Sequence, residues 1–267
     1  DQGGRTVSVL FGSGDGNFGP PVPLLVRYAP KSVTPFDAEN DGDLDIAVAN
    51  GSAFVSLLRN RGDGTFDKSE EFVTIDTPND IASGDFDGDG FLDLVTADTV
   101  RSSATVLLNL GDGTFGGPMS FLNGASAPYS VLALDFDLDG RVDIVTGNQS
   151  SANVTILRGR GDATFENARV FPAGEGLRFV LSGDFDQDGD PDLMTTDRQG
   201  NSLTLLYNGA SEAEPTLPFL EEICTPADFH TLSAATSDSS SKQRFLKYTL
   251  HVGSDSTQLP NVAYQDT

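Results

Sequence analysis

Four segments of this chain, beginning at Asp37, Asp85, Asp135 and Asp184, spell one pattern: acid, x, acid, x, Asp, Gly, x, x, Asp. The starts are separated by 48, 50 and 49 residues. Four acids at fixed offsets around one glycine, repeated at a near-constant period, require a structural unit that is itself repeated. Written out, the copies are Asp37-Ala-Glu39-Asn-Asp41-Gly42-Asp43-Leu-Asp45, Asp85-Phe-Asp87-Gly-Asp89-Gly90-Phe91-Leu-Asp93, Asp135-Phe-Asp137-Leu-Asp139-Gly140-Arg141-Val-Asp143 and Asp184-Phe-Asp186-Gln-Asp188-Gly189-Asp190-Pro-Asp192.

Positions 1, 3, 5 and 9 are acidic in every copy. Calcium is a hard ion that takes six to eight oxygens, and alternating acids before a tight glycine turn, with a further acid after it, wrap such an ion from several sides. The carbonyl at position 7 is expected to add an oxygen. Without a cation, each pair of carboxylates gathered in such a loop repels by roughly 4 kcal/mol at 4 Å and an effective dielectric of 20, so an empty loop is expected to fray. Asp and Gly also favour turns for local reasons that involve no metal. Turn formation alone does not demand an acid at position 9 in four copies. An EF-hand fits less well, since its bidentate Glu stands at position 12 between helices, whereas the flanks here read as strands. The first copy is the weakest, because Glu39 must fold back to reach the ion.

Charge narrows the function. The chain carries 40 acids against 16 Lys and Arg, a formal charge of -24, and 18 of the acids lie in the four loops. Four calcium ions would bring the balance to -16. Nucleic-acid binding, which draws its affinity from Lys and Arg on phosphates, is disfavoured, as is an anionic membrane surface. No run of about 18 apolar residues is present to span a membrane. Cys224 is alone, so no intrachain disulfide is expected and metal ions take the stapling role. The sequence opens at Asp1 without a signal peptide, as expected of a mature product or a fragment. Weak acid-rich sites suit millimolar extracellular calcium, so secretion or display at the cell surface is expected.

One period shows what each repeat builds. In residues 31–75 a strand from Lys31 to Phe36 enters the loop, Leu44 to Ala49 leaves it, Phe54 to Leu58 is a third strand, and Glu71 to Ile75 a fourth. Four strands and three punctuated turns make one propeller blade. The turn Arg61-Gly62-Asp63-Gly64-Thr65-Phe66 recurs at Gly14 to Phe18, Gly111 to Phe115 and Gly161 to Phe165. Asp-Gly supplies the positive backbone angles of a hairpin, and the Phe is expected to plug the core between blades. No segment makes a convincing amphipathic helix.

The alternation of Asp-Phe-Asp-x-Asp-Gly-x-x-Asp with Gly-Asp-Gly-Thr-Phe resembles the FG-GAP and VCBS repeats of integrin α-subunit heads and many secreted bacterial proteins, over residues 1 to about 208. The resemblance implies an all-β propeller of four-stranded blades whose calcium loops join the first two strands of a blade. It implies, as ligands, the acids at positions 1, 3, 5 and 9 quoted above, with Asp43, Phe91, Arg141 and Asp190 at position 7 binding through their carbonyls. Five blades are expected. The last joins strands at Arg5 to Leu10 and Phe18 to Val26 with strands at Phe229 to Ala235 and Phe245 to Val252, while Thr216 to Glu222 forms the outer strand of the fourth calcium-bearing unit. The alternative is a piece of a seven-bladed propeller. Residues 1–222 thus form the repeat propeller and 223–267 a divergent closing segment or the start of a further domain.

Other motifs count for less. Both Arg-Gly-Asp tripeptides, at Arg61 and Arg160, fall on the hairpin turn. Three glycosylation sequons, at Asn50, Asn148 and Asn153, read as chance occurrences. His230 and His251 lie outside the repeats, and no nucleophile, phosphate-loop or zinc-protease signature appears. The expected function is therefore a non-catalytic, calcium-stabilised extracellular module for binding, adhesion or scaffolding, with a protein or polysaccharide as partner and a place in a larger protein or complex. Alternatives are a lectin-like glycan-binding propeller, which without Trp would stack sugars on Tyr28, Tyr129, Tyr207 or Phe, and a catalytic or accessory propeller of a polysaccharide lyase or hydrolase, for which Tyr28, Tyr129 and Arg178 would have to converge.

Overall fold

The computed structural model describes residues 4–122, 124–209, 234–237 and 244–251, and among these every regular element is a strand. Among the described residues strands β1 (Thr6–Val9) and β2 (Val22–Leu25) form a two-stranded sheet. Three four-stranded antiparallel meanders follow. The first is β3 (Pro30–Phe36), β4 (Asp45–Asn50), β5 (Phe54–Leu58) and β6 (Glu70–Val73). The second is β7 (Pro78–Gly84), β8 (Asp93–Asp98), β9 (Ser103–Leu107) and β10 (Met119–Leu122). The third is β11 (Pro128–Leu134), β12 (Asp143–Asn148), β13 (Asn153–Leu157) and β14 (Arg169–Pro172). A fourth sheet holds β15 (Leu177–Gly183), β16 (Asp192–Asp197) and β17 (Ser202–Gly209), then β19 (Arg244–His251) and β18 (Ala234–Ser237) at its outer side. These are the blades of a β-propeller, and each acidic loop joins the first strand of its blade to the second, as the resemblance implies.

The second strands, Asp-Ile-Ala-Val-Ala-Asn and its counterparts, read as continuous apolar runs because neighbouring blades cover both of their faces. The core consequently lies between blades. Phe36, Val55 and Leu57 of the first meet Ile81, Leu94 and Leu107 of the second. Phe86 and Val95 meet Val131 and Ile144, and Phe136, Val154 and Ile156 meet Leu177, Val180 and Leu206. The hairpin Phe behaves as expected: Phe115 packs edge-on against Phe72 at 5.0 Å and Phe165 against Phe121 at 4.8 Å, each seated in the blade before its own. Phe18 has no described blade before it and stays exposed.

The inner strands share a further device. Each carries a register shift at the same place, after Pro30, Pro78, Pro128 and Leu177. Beside it Asp80 accepts from the hydroxyls of Ser32 at 2.6 Å and Ser130 at 2.9 Å, tying three inner strands together.

The expected fifth blade does not form in the expected way. Strand β19 pairs with β17 over eight residues, from Ser202 with His251 to Gly209 with Arg244, and β18 follows on β19. The eight-residue edge of β17 has twice the unpaired backbone of the four-residue β1, so the longer strand goes where more hydrogen bonds are satisfied. The segment that covers the fourth blade is therefore 244–251. The suggested outer strand at 216–222 lies outside the described residues, as do Cys224 and His230.

Candidate metal centres

Position 9 opens the second strand of each blade, and its carboxylate is buried in all four: Asp45, Asp93, Asp143 and Asp192. Its two oxygens have fixed duties. One accepts the N–H of position 2, at 3.0 Å for Ala38, 2.9 Å for Phe86, 3.0 Å for Phe136 and 2.9 Å for Phe185. The other accepts the N–H of a residue at or just past the end of the third strand: Asn60, Asn109, Gly159 or Asn208, at 2.7 to 2.8 Å. Position 9 is thus a staple between loop and hairpin as well as a charge at the floor of the site.

Position 1 turns the loop. Its carboxylate accepts the N–H of the position-6 glycine, at 2.8 Å in the first loop, 3.0 Å in the second, 2.8 Å in the third and 3.2 Å in the fourth. Those glycines have φ of 90° to 96° in three loops and 84° in the third, a region where a side chain is strained. Position 5 is used locally, since Asp41, Asp89, Asp139 and Asp188 each accept the N–H of position 7 at 2.8 to 3.0 Å.

The side chains that meet are those of positions 1, 3 and 9. Asp37, Glu39 and Asp45; Asp85, Asp87 and Asp93; Asp135, Asp137 and Asp143; and Asp184, Asp186 and Asp192 each offer oxygens within 4.8 Å of one another. The acids at position 5 and the residues at position 7 lie outside these triads. An all-carboxylate donor set suits a hard divalent cation, and electrostatics agrees. Burial, with the neighbouring acids adding, pushes the carboxyl of Asp93 up to about 7 and those of Asp143 and Asp192 to about 6. Burial likewise raises Asp45, Asp87 and Asp186. Carboxylates that resist ionisation side by side are relieved by a bound positive charge. Asp137 Oδ1 is buried without a hydrogen-bond partner, as an oxygen reserved for an ion would be. The residues therefore fit calcium.

The loops are also held from the next blade, which the motif alone does not reveal. Asn109 Nδ2 donates to the Ala38 carbonyl at 2.8 Å, Ala163 N–H to the Phe86 carbonyl at 2.9 Å and Asn208 Nδ2 to the Phe136 carbonyl at 3.0 Å. For the first of these ties the signal was present as an Asn, Asn109, two residues before the hairpin Gly. Its partner, 71 or 72 residues away for the two asparagines, was not.

The motifs set aside in the sequence have local contacts, and of the three sequon asparagines Asn153 is half-buried. Asp63 accepts from Thr65 within its turn at 2.6 Å and Arg61 pairs with Asp67. Asn50 and Asn148 are buried. Arg178 lies over the Tyr129 ring at 4.4 Å, whereas Tyr28 stacks on Phe54 at 5.0 Å, so two of the three residues named for a catalytic cluster meet and the third packs elsewhere.

Among solved structures the chain is similar to a lectin of Agrocybe aegerita that recognises non-reducing terminal N-acetylglucosamine, at 24% identity and a TM-score of 0.53, over 76% of this chain. It spans only 57% of that lectin. It is also similar to BBS1N in complex with ARL6DN, at 15% identity and a TM-score of 0.47 over 67% of this chain and 50% of the other. A third similarity is to the Vibrio cholerae biofilm matrix protein Bap1, at 18% and 0.44 over 70% and 28%. At 24% identity the likeness to the lectin is one of fold. No curated protein sequence matches. The family model of the FG-GAP-like repeat matches three overlapping windows, 37–96, 85–146 and 135–195. Each window runs from one acidic loop past the next, and together they cover more than half of the sequence: the chain belongs to the FG-GAP-like repeat family.

Proposed function

We propose that this chain is a calcium-stabilised, extracellular β-propeller that binds a protein or a polysaccharide and has no catalytic role of its own. The observation that carries the reading is the fourfold recurrence of a carboxylate triad around a buried position-9 aspartate, at the same joint of every blade. When bound, calcium would supply the positive charge that lets these acids ionise together. The chain's own residues do the rest. Positions 1, 3 and 9 present oxygens, position 6 turns the backbone, and position 9 anchors the hairpin whose Phe enters the preceding blade. Such sites stabilise the fold by mass action and are filled at the millimolar calcium found outside cells. The net charge of -24 turns nucleic acid and anionic lipid away and leaves protein or glycan as the partner class. The lectin among the structural neighbours makes glycan worth testing first.

The decisive experiment is thermal unfolding with calcium and with excess EGTA, together with metal quantification on the purified chain. The reading expects about four ions per chain, the number of triads, and a large EGTA-induced fall in Tm. No bound calcium and no shift would return the acidic repeats to turn chemistry and reopen them for catalysis.

A further inference from the structure

The four loops differ in a way that the shared motif conceals. The residue immediately before the hairpin N–H that meets position 9 is Arg59 in the first blade and Arg158 in the third, but Leu108 in the second and Tyr207 in the fourth. Both guanidiniums turn to the position-3 acid of their own loop. Arg59 Nη1 contacts Glu39 Oε1, and Arg158 Nη1 lies 3.1 Å from Asp137 Oδ2. Leu108 instead packs into the core and Tyr207 is buried. Among the described residues Asp87 and Asp186 therefore form no ion pair. The third loop carries a second cation, since Arg141 Nη1 lies 3.1 Å from Asp139 Oδ2.

Resting on the calcium reading above, we infer that Arg59 and Arg158 divide the four loops into two kinds of calcium site: tight at the second and fourth, weak at the first and third, with the third the last to fill. Calcium affinity in oxygen sites follows the charge gathered around the ion. Each site gathers three carboxylates; those of the second and fourth face no guanidinium, those of the first face one at Glu39, and the third loop faces two, at Asp137 and Asp139. The pairing discharges the third site without closing it, because Asp137 gives Oδ2 to Arg158 and keeps Oδ1 unpartnered. The two arginines are positioning residues: they hold the position-3 carboxylate in place while repelling the ion. With water-like screening, a unit charge several ångströms from a divalent ion weakens binding about tenfold. The propeller then fills in steps as free calcium rises, with alternate blades filling first.

The test is equilibrium dialysis of the full chain against buffered calcium from micromolar to millimolar, with retained calcium measured by atomic emission and Tm recorded at each point. The expected result is a stepwise curve with two ions held at limiting calcium and four at saturation. Arg158→Leu, which installs the residue of the second blade, should move the last step about tenfold lower in calcium. Arg141→Gln, at an exposed position, should move it the same way without threat to folding, and Arg158→Lys should leave it near wild type. A single step with four equal sites, or a last step unmoved or shifted to higher calcium in both Arg158→Leu and Arg141→Gln, overturns the division into two kinds while leaving calcium binding intact. A chain that holds no calcium at any concentration refutes the calcium reading and this inference together.

Discussion

Asp98 ends β8 with its side chain fully buried, accepting hydrogen bonds from Thr96 Oγ1 at 3.0 Å and from Thr105 Oγ1. In the third blade the same register position is Asn148, whose Oδ1 accepts from Thr146 Oγ1 at 3.2 Å and whose Nδ2 donates to Thr155 Oγ1 at 2.9 Å. The slot thus accepts a neutral amide, and Asp98→Asn should restore every contact. Burial raises the Asp98 carboxyl to about 7 from an ordinary 3.8. The folded state therefore holds a proton that the unfolded chain releases, and the stability of the wild type falls as pH rises between those values. At about 1.4 kcal/mol per pH unit, the wild type should lose about 2–3 kcal/mol relative to Asp98→Asn between pH 5 and pH 7. Above pH 7 the advantage of the variant levels off at about 4 kcal/mol. Urea unfolding of both proteins across pH 5 to 8.5 in saturating calcium isolates the effect, because every other acid is common to the pair. A difference between the two that stays flat with pH, or an Asn variant less stable at pH 8, would refute the argument that this carboxyl is carried neutral in the fold.

Two further outcomes follow from the packing. Phe136, fully buried between the third and fourth blades, should cost about 3–5 kcal/mol when replaced by Ala, read as a drop in the urea midpoint at constant slope. Asn109→Ala removes the donor that reaches the Ala38 and Leu92 carbonyls and should cost about 1–3 kcal/mol. Hydrogen exchange in that variant should quicken in the first acidic loop, on the neighbouring blade, and a change confined to the second blade would contradict the interblade tie.

What could be read from the sequence was what is local. Each acidic loop and each Gly-Asp-Gly-Thr-Phe turn closes within a few residues, through contacts such as Gly42 N–H to Asp37 or Thr65 to Asp63, so their spelling and their shape coincide. The strands between them followed from apolar runs bounded by turns. The features that join one repeat to another were hidden. Asp80 binds serines 48 and 50 residues away on either side, and nothing near Asp80 marks it as different from a surface acid. The arginine contacts to Glu39 and Asp137 lie some twenty residues from their loops, across a hairpin whose own motif says nothing about charge. The place of 244–251, expected in a closing fifth blade, was missed for the same reason: edge pairing depends on matched length and position in space, and this segment has no motif to announce that it pairs with β17.

The hairpin Phe of one blade sits in the blade before it, and the family windows run from loop to loop across the sheet boundary. The unit that the sequence repeats is therefore out of phase with the unit the eye sees as a blade. A genetic duplication from one acidic loop to the next copies the last three strands of one sheet and the first strand of the following one, so every new copy arrives already interleaved with its neighbours. For anyone lengthening, shortening or permuting this protein, the natural splice points lie inside the blades at the aspartate loops, and the gaps between blades are the seams to leave closed.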